Sequence, residues 1–454
     1  QVGATLDVLG VPQATIDTGE GYCVYVSTQI TVGHNNPRFG QYVDIEGQAF
    51  VRFAEGAPQF DAFGKLQVSQ QTTLSEHIFE YGKHDHAFTD LVTGTASLVH
   101  QPDHAGLLLT TDTGVTDKIE RISNRYHKYQ GGKSQLIELT VAIGDEGKAN
   151  VNRKWGLGDN SDGVFFHMTG TTMQVMLRSS VTGSIVTTLI DQADWNGDVL
   201  DGTGSANNTS GHLIDVSKDN IWWIDFQWLG AGRVRYGVVL DGKRILVHSM
   251  NNANKNNLPY MRIGSLPFYI EQENTGTPAS SSEMRVWCMV VKTEGKYDPH
   301  LKYFSGESSV AGITTAKTLL SFRAAQTLNG VNNRVIAYGE DIEVYSSADL
   351  LLVTLYEGGT LTGTPVWNLV DADSSVEVDI AASGFTGGTL IHSMLVAPGA
   401  INTMDLSHLF NTAGLGMHRK AVITDAPKVF TIEVTPKFGV STNVNVIANW
   451  NEAQ

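Results

Sequence analysis

Apolar and polar positions alternate with a period of two along most of this chain. The clearest run is "NIWWIDFQWLGAGRVRYGVVLDGKRILVHSM", residues 220–250. Successive side chains of a strand point to opposite faces, so Trp222, Ile224, Phe226 and Trp228 share one face. Ile221, Trp223, Asp225, Gln227 and Leu229 take the other, where Asp225 reads as a polar, outward-facing residue. "LGAG" breaks the run. A second strand then places Val234, Tyr236, Val238 and Leu240 on one face and Arg233, Arg235 and Val239 on the other. Asp241-Gly242 predicts a type I′ hairpin turn, which needs positive φ at both central residues. Ile245 to His248 returns as the third strand of a meander.

So regular an alternation of large apolar residues predicts a core, not an exposed platform for stacking sugars. Trp222, Ile224, Phe226 and Trp228 are therefore assigned to the interior of a sandwich. Arg233 and Arg235 are expected to cover a sheet face or to reach across a subunit interface.

Helical periodicity is nearly absent elsewhere, and strand after strand is punctuated by Gly, Asn, Asp and Thr-Gly. The fold class predicted is mainly β. Residues 1–95 alternate weakly and read as an extended arm docking on neighbours. Residues 96–291 alternate cleanly in about ten strands, predicting an antiparallel, concanavalin-like jelly-roll sandwich. Residues 292–318 are polar and read as a linker. Residues 319–454 form a second, C-terminal β-sandwich, with "KVFTIEVTP" and "NVNVIANW" as paired strands.

Composition narrows the function. The 454 residues carry 31 Lys+Arg against 47 Asp+Glu, a formal net charge of -16. So acidic a chain repels phosphate backbones, which argues against nucleic-acid binding. Charged residues make up only 17%, below the ~25% usual in soluble domains, which implies surface covered by partners. No run of 18 apolar residues predicts membrane insertion. Cys23 and Cys288 lie in apolar, strand-like runs and read as free buried thiols, since a lone pair in a long chain is no disulfide framework.

Motifs with chemical meaning are few. "YQGGKSQL" holds Gly-Lys-Ser, but His127 stands where a phosphate loop needs glycine, and a strand follows instead of a helix. Glycoside hydrolysis needs two carboxylates facing one sugar. The nearest spacing is Glu377 and Asp379, which lacks a third acid and lies in the second sandwich. Asp159, Asn160 and Asp162 precede a glycine like a calcium loop but lack the closing glutamate, and read as a β-turn. His84 and His86 form a His-x-His pair that can chelate a metal. With no further ligand near in sequence they read as surface imidazoles. No cofactor, metal or catalytic group is expected.

A series of segments carries a resemblance. "FDAFGKLQVSQQTTLSEHIFEYGKHDHAF" is followed by "RYHKYQGGKSQLIELT", "KWGLGDNSDGVFFHMTGTTMQVMLRSSVTGS", "IDFQWLGAGRVRYGVVLDGKRILVH" and "NNLPYMRIGSLPFYIEQENTG". Together they resemble virion structural proteins of tailed bacteriophages, over about residues 58–300. The resemblance implies a non-enzymatic component of the phage particle, assembled in the host cytoplasm. It sits in the tail, baseplate or fibre region, or on the capsid as a decoration or head fibre. Its partners would be copies of itself, other virion proteins and a host-surface glycan. The alternative, from the sandwich alone, is a carbohydrate-binding adhesin or lectin-like module.

Overall fold

The structure is a computed structural model that describes residues 70–298, 300–412 and 427–454, together with three short strands near the N-terminus. The chain divides into a unit Gln1–Ala57 and a unit Pro58–Gln454. In the first, Val24–Ser27, Gly40–Val43 and Ala49–Val51 pair antiparallel in that order. The rest of the arm expected before residue 70 lies outside the described residues, as does Cys23.

The second unit opens with a two-sheet, concanavalin-like sandwich. One sheet has seven strands in the order Val186–Asp191, Thr172–Ser179, Gly163–Thr169, Val151–Gly158, Phe268–Asn274, Lys118–Ser123 and Phe88–Thr93. The other has eight. Its path runs Lys243–Asn251, Arg233–Leu240, Asn220–Phe226, Gln135–Ala142, Ser282–Glu294, Gly106–Thr111 and Ser97–Gln101, and Gln71–Ile78 pairs with Ser282–Glu294. All these pairings are antiparallel. The mainly β class and the sandwich are as the alternation predicted.

Aromatic residues fill the space between the sheets. The Trp222 ring meets Trp155 edge-on with centroids 5.1 Å apart and lies 4.7 Å from Phe166. Burial of indole and phenol leaves polar hydrogens that must find acceptors. Trp222 Nε1 donates to Val141 O at 3.1 Å, and Tyr236 OH donates to Met176 O at 2.9 Å. Ile224 and Phe226 are fully buried. Trp228, past the end of its strand, is half-buried and donates from Nε1 to Met261 O at 2.9 Å. Asp241 (φ 49) and Gly242 (φ 73) turn the hairpin from Leu240 to Lys243 with positive φ at both positions.

Three expectations change. Asp225 does not face solvent: it is fully buried on the other face of its strand and pairs with Arg235 directly across the strand pair. Arg235, 6% exposed, covers that sheet face as the counter-ion of Asp225. A carboxylate at such a depth needs a guanidinium beside it, because an isolated charge there costs several kcal/mol. Arg233, on the same face of the sheet, is half-buried. Trp223 is also buried, its ring over Gly237, where a Cβ would sit 2.1 Å from Trp223 Cζ2. Glycine is required at that close approach.

The arm ends earlier than residue 95. Gln71–Ile78 pairs with Cys288–Glu294, and Phe88–Thr93 pairs with Lys118–Ser123. Their backbone hydrogen bonds are made to strands far along the chain, so weak local alternation does not prevent strand formation. Phe79 and Phe88 close this end of the core over the buried Arg121 guanidinium, which bonds Asp90 at 2.5 Å.

The linker is shorter than residues 292–318. Ser282–Glu294 reaches into it from one side, and Lys302–Ile313 is a strand of the second sandwich, paired with Thr442–Ala453. Its inward positions include Gly306 and Ser308, both buried. A Cβ on Gly306 would lie 2.9 Å from Val378 Cγ1. Alternation of small with polar residues leaves no hydropathy signal, although the strand period is intact.

The C-terminal sandwich packs a four-stranded sheet, Lys302–Ile313, Thr442–Ala453, Ile336–Ser346 and Ile401–Asp405, against a six-stranded one centred on Lys317–Ala324 and Phe430–Pro436. Phe322 stacks between Phe430 and Trp450. The two sandwiches join at the Asp159 turn. Asp159 Oδ1 accepts from the backbone N–H of Ser161 and Asp162 at 2.7 and 2.9 Å. Its Oδ2 takes Tyr126 OH at 3.0 Å and Arg334 Nη2 at 2.7 Å. Cys288 is half-buried, with Sγ 3.2 Å from Thr140 Oγ1. No helix among the described residues is long and apolar enough to cross a membrane.

Phe226→Ala removes a fully buried ring and should cost about 3–5 kcal/mol of stability through the cavity it leaves. Urea unfolding of both proteins measures this. A loss under about 1 kcal/mol would mean the site collapses or the ring is not in the core.

Candidate functional site

Inward side chains make the core, so the register of the seven-stranded sheet also fixes what lines up on its outer face. Asp191, Gln174, His167, Lys154, Glu271 and Glu120 stand opposite one another in sequence across six adjacent strands. Gln174 Nε2 donates to Asp191 at 2.7 Å, which turns its Oε1 toward His167 Nδ1 at 2.9 Å. That orientation makes Nδ1 the protonated ring nitrogen of His167. Burial lowers the His167 pKa to about 4.

The centre of the row is an ion cluster. Glu271 and Glu120 are cross-strand neighbours of like charge, which is unfavourable unless a cation lies between them. Lys118 Nζ does so, 3.1 Å from Glu271, 3.0 Å from Glu120 and 3.7 Å from Glu273. Lys154 Nζ lies 2.6 Å from Glu271, and Tyr269 OH donates to it at 2.5 Å. Burial opposes the charge on Glu271, but Lys154 and Lys118 hold its carboxyl at about 2. Burial and the adjacent Glu271 charge push Glu273 the other way, above the usual carboxylate range.

Glu271-x-Glu273 is the same-face carboxylate pair that sequence reading passed over, although period-two spacing on one strand is visible in "YIEQEN". Divided pKa values are what glycoside hydrolysis requires of two carboxylates. Access is also required, and it is missing. The Glu271 and Glu120 side chains are 3% exposed, against 31% for Glu273. The ionised member is enclosed by two ammonium groups and a phenol, so the cluster holds strands together instead of presenting a nucleophile. The other acidic pair is likewise structural: Glu377 bonds Arg323 at 2.9 Å, and Asp379 accepts from the backbone N–H groups of Val366, Ala381 and Ala382.

An open cleft lies where the two sheets end at Val186–Asp191 and Lys243–Asn251. Its volume is about 680 Å³. Leu177, Ile190, Met250 and Tyr260 contribute an apolar floor, and Thr188, Asn196, His248, Asn251, Asn256 and Asn257 contribute polar lining. Asn196 is clamped, donating to Ser249 O and accepting from Ser249 N, each at 2.8 Å. His248 Nδ1 accepts from Asn196 N at 3.2 Å, which places the ring proton on Nε2. The loop 252–260 is pinned at its ends by Asn252 Nδ2 to Gly232 O (2.8 Å) and Tyr260 OH to Gln227 O (2.7 Å). Asn256, Asn257 and Leu258 between these pins are exposed. Among the described residues lining the cleft there is no aspartate or glutamate. The asparagine run "NNANKNN" was the available sequence signal for this site.

His84 and His86 lie in the turn before Phe88–Thr93. His84 meets His77, a partner not foreseen, with Nδ1 atoms 3.4 Å apart. The His86 ring centre is 5.9 Å from that of His84.

No protein-family model and no curated protein matches the sequence. Solved structures similar to the chain include the carbohydrate recognition domain of Emp47p, at 13% identity and TM-score 0.32, covering 50% of this chain and 98% of that one. A glycosyl hydrolase family 16 protein from Mycobacterium smegmatis is 11% identical with TM-score 0.32, covering 48% and 100%. A legume lectin-like domain from Entamoeba histolytica is 9% identical with TM-score 0.27, covering 45% and 89%. Similarity this distant assigns no activity.

The ion cluster predicts a pH dependence. The Glu271 carboxyl is lowered from 4.5 to about 2, so the unfolded chain takes up that proton first. Its stabilisation is complete above pH 4.5 and is lost as pH falls toward 2. His167, held neutral by burial at about 4 against 6.5, loses its contribution from pH 6.5 down to 4. Glu271→Gln strands Lys154 and should cost about 3–5 kcal/mol near neutral pH, and it should flatten the lower part of the pH profile. Urea unfolding across pH measures both. A cost below about 0.5 kcal/mol would contradict the cluster's role.

Proposed function

We propose that this chain is a non-enzymatic binding protein that takes carbohydrate into the edge cleft of its first sandwich. The observation that carries the reading is the cleft itself, about 680 Å³ with amides above an apolar floor and no carboxylate among its described lining residues. A sugar offers hydroxyls that each donate and accept, together with apolar C–H faces. Asparagine side chains also donate and accept, and the floor suits the C–H faces. General acid–base catalysis needs a titratable group at the bound substrate. His248, Lys255 and Tyr260 are the titratable groups in the lining, and burial lowers the pKa of His248 and raises that of Tyr260. With no carboxylate to pair with them, binding is the chemistry this cleft supports.

A second reading, particle assembly, is favoured by the open edges of the C-terminal sandwich. Leu390 and Leu395 on Thr389–Val396 and Ile401 on Ile401–Asp405 are 54%, 59% and 68% exposed. Both strands end their sheets, and an uncovered apolar edge is a template for another chain. We propose on this basis that the chain also associates with copies of itself or other proteins of a phage particle.

The purified chain should bind a subset of oligosaccharides on a glycan array saturably and hydrolyse none. Asn256→Ala with Asn257→Ala, or Thr188→Trp to fill the cleft, should weaken binding at least about tenfold, or 1.4 kcal/mol, with the melting temperature unchanged. Retention of no glycan, or cleft variants that bind like the wild type, would overturn the binding reading. For assembly, mass spectrometry of purified phage particles from the source should find the chain in multiple copies, and its absence would refute that reading.

A further inference from the structure

We propose that the edge cleft of the first sandwich selects sugars that carry an anionic group, with Lys255 setting the selection and His248 as a second donor. The inference rests on the carbohydrate reading above and narrows it to a substrate class.

Charge sets the cleft apart from the rest of the chain. The formal net charge of the whole is -16 with histidine neutral, yet on the same count Lys255 is the one charged side chain among the described lining residues. It is exposed, and no lining group is a carboxylate that could neutralise it. Asp191 follows the lining residue Ile190 but takes the opposite face of its strand, where it accepts from Gln174 Nε2 at 2.7 Å. Salt screens exposed charges beyond about 8–10 Å, so the near groups decide what a bound sugar meets. The backbone that carries Lys255 is fixed. Asn254 takes φ 59, and Lys255 N donates to Asn252 O at 3.3 Å. Asparagine tolerates such a left-handed turn.

The hydrogen-bonding capacity has the same sign as the charge. His248 is 6% exposed and lines the cleft. Its Nδ1 accepts from Asn196 N at 3.2 Å, so Nε2 holds the proton. Among the described residues nothing accepts that proton. The Lys255 ammonium also only donates. Asn256 and Asn257 bring amide N–H donors to the same lining. A carboxylate or sulfate only accepts, which matches groups that only donate. A neutral hydroxyl can accept from them too, but a hydrogen bond between two charged groups is roughly twice as strong. A neutral sugar seated here would displace water from the ammonium without replacing its counter-charge.

The test is an array of uronic, sialic and sulfated oligosaccharides, each beside its carboxyl-reduced or desulfated counterpart, probed with the full chain. Calorimetry then measures the strongest pair. The acidic member should bind at least about tenfold tighter than its neutral counterpart. The preference should shrink in about 1 M NaCl, where the Debye length falls to about 3 Å. Carboxylate and sulfate pairs show which acid the site takes. Lys255→Met keeps the length of the stem and removes the charge, so it should bring the acidic member down to the affinity of its neutral counterpart. Lys255→Arg should keep the preference. Neutral members bound as tightly as acidic ones, or a preference that survives in Lys255→Met, would overturn this inference and leave the carbohydrate reading standing. An array on which no member is retained would overturn both.

Discussion

The interlock of Trp222 with Trp155 and Phe166 between two antiparallel sheets is the contact on which the rest of the first sandwich depends. Side chains alternate along the unbroken register of Asn220–Phe226, so committing one of its faces to this seam commits the other face as well. Asp225 and Trp223 are therefore forced onto a second surface, where they are also buried. Arg235 and Gly237 sit opposite them because a charge needs a partner and an indole needs room. The same logic in the other sheet creates the polar row from Asp191 to Glu120. A one-residue slip in any strand would exchange the row with the core.

The acidic composition is partly used inside the molecule. Asp117 accepts from Thr95 N, Thr95 Oγ1 and Asp112 N. Asp162 takes Ser180 N, Ser180 Oγ and Arg262 N, and Asp198 takes Leu200 N, Asn208 Nδ2 and Ser210 N. In the second sandwich Asp349 and Glu452 do the same for Val440 N and Ser375 N. Each carboxylate gathers backbone donors that irregular loops would otherwise leave unpaired. Net negative charge in this chain is thus in part loop architecture.

How much was legible in the sequence follows from which signals are local. The alternation of Trp222, Ile224 and Phe226 and the Asp241-Gly242 turn are local, and both sandwiches could be read from such runs. Lys302–Ile313 was hidden because its buried positions include Gly306 and Ser308. Gln71–Ile78 was hidden because its partner is more than 200 residues away. Asp225 looked like a surface residue because the arginine that neutralises it belongs to the next strand. Lys118 and Lys154 reach Glu271 only through register, and the asparagine loop becomes a cleft only where two sheet edges meet. His84 meets His77 because the turn after Gln71–Ile78 folds back on its own strand.

Hydrogen–deuterium exchange of the full chain, with and without a saturating oligosaccharide selected for binding, tests the carbohydrate reading most directly. New protection should appear in the loop 252–260 and in Val186–Asp191, with the strand Phe268–Asn274 that carries Glu271 unchanged. Protection centred on Phe268–Asn274 and Lys118–Ser123 would place the ligand on the charged row and contradict the account.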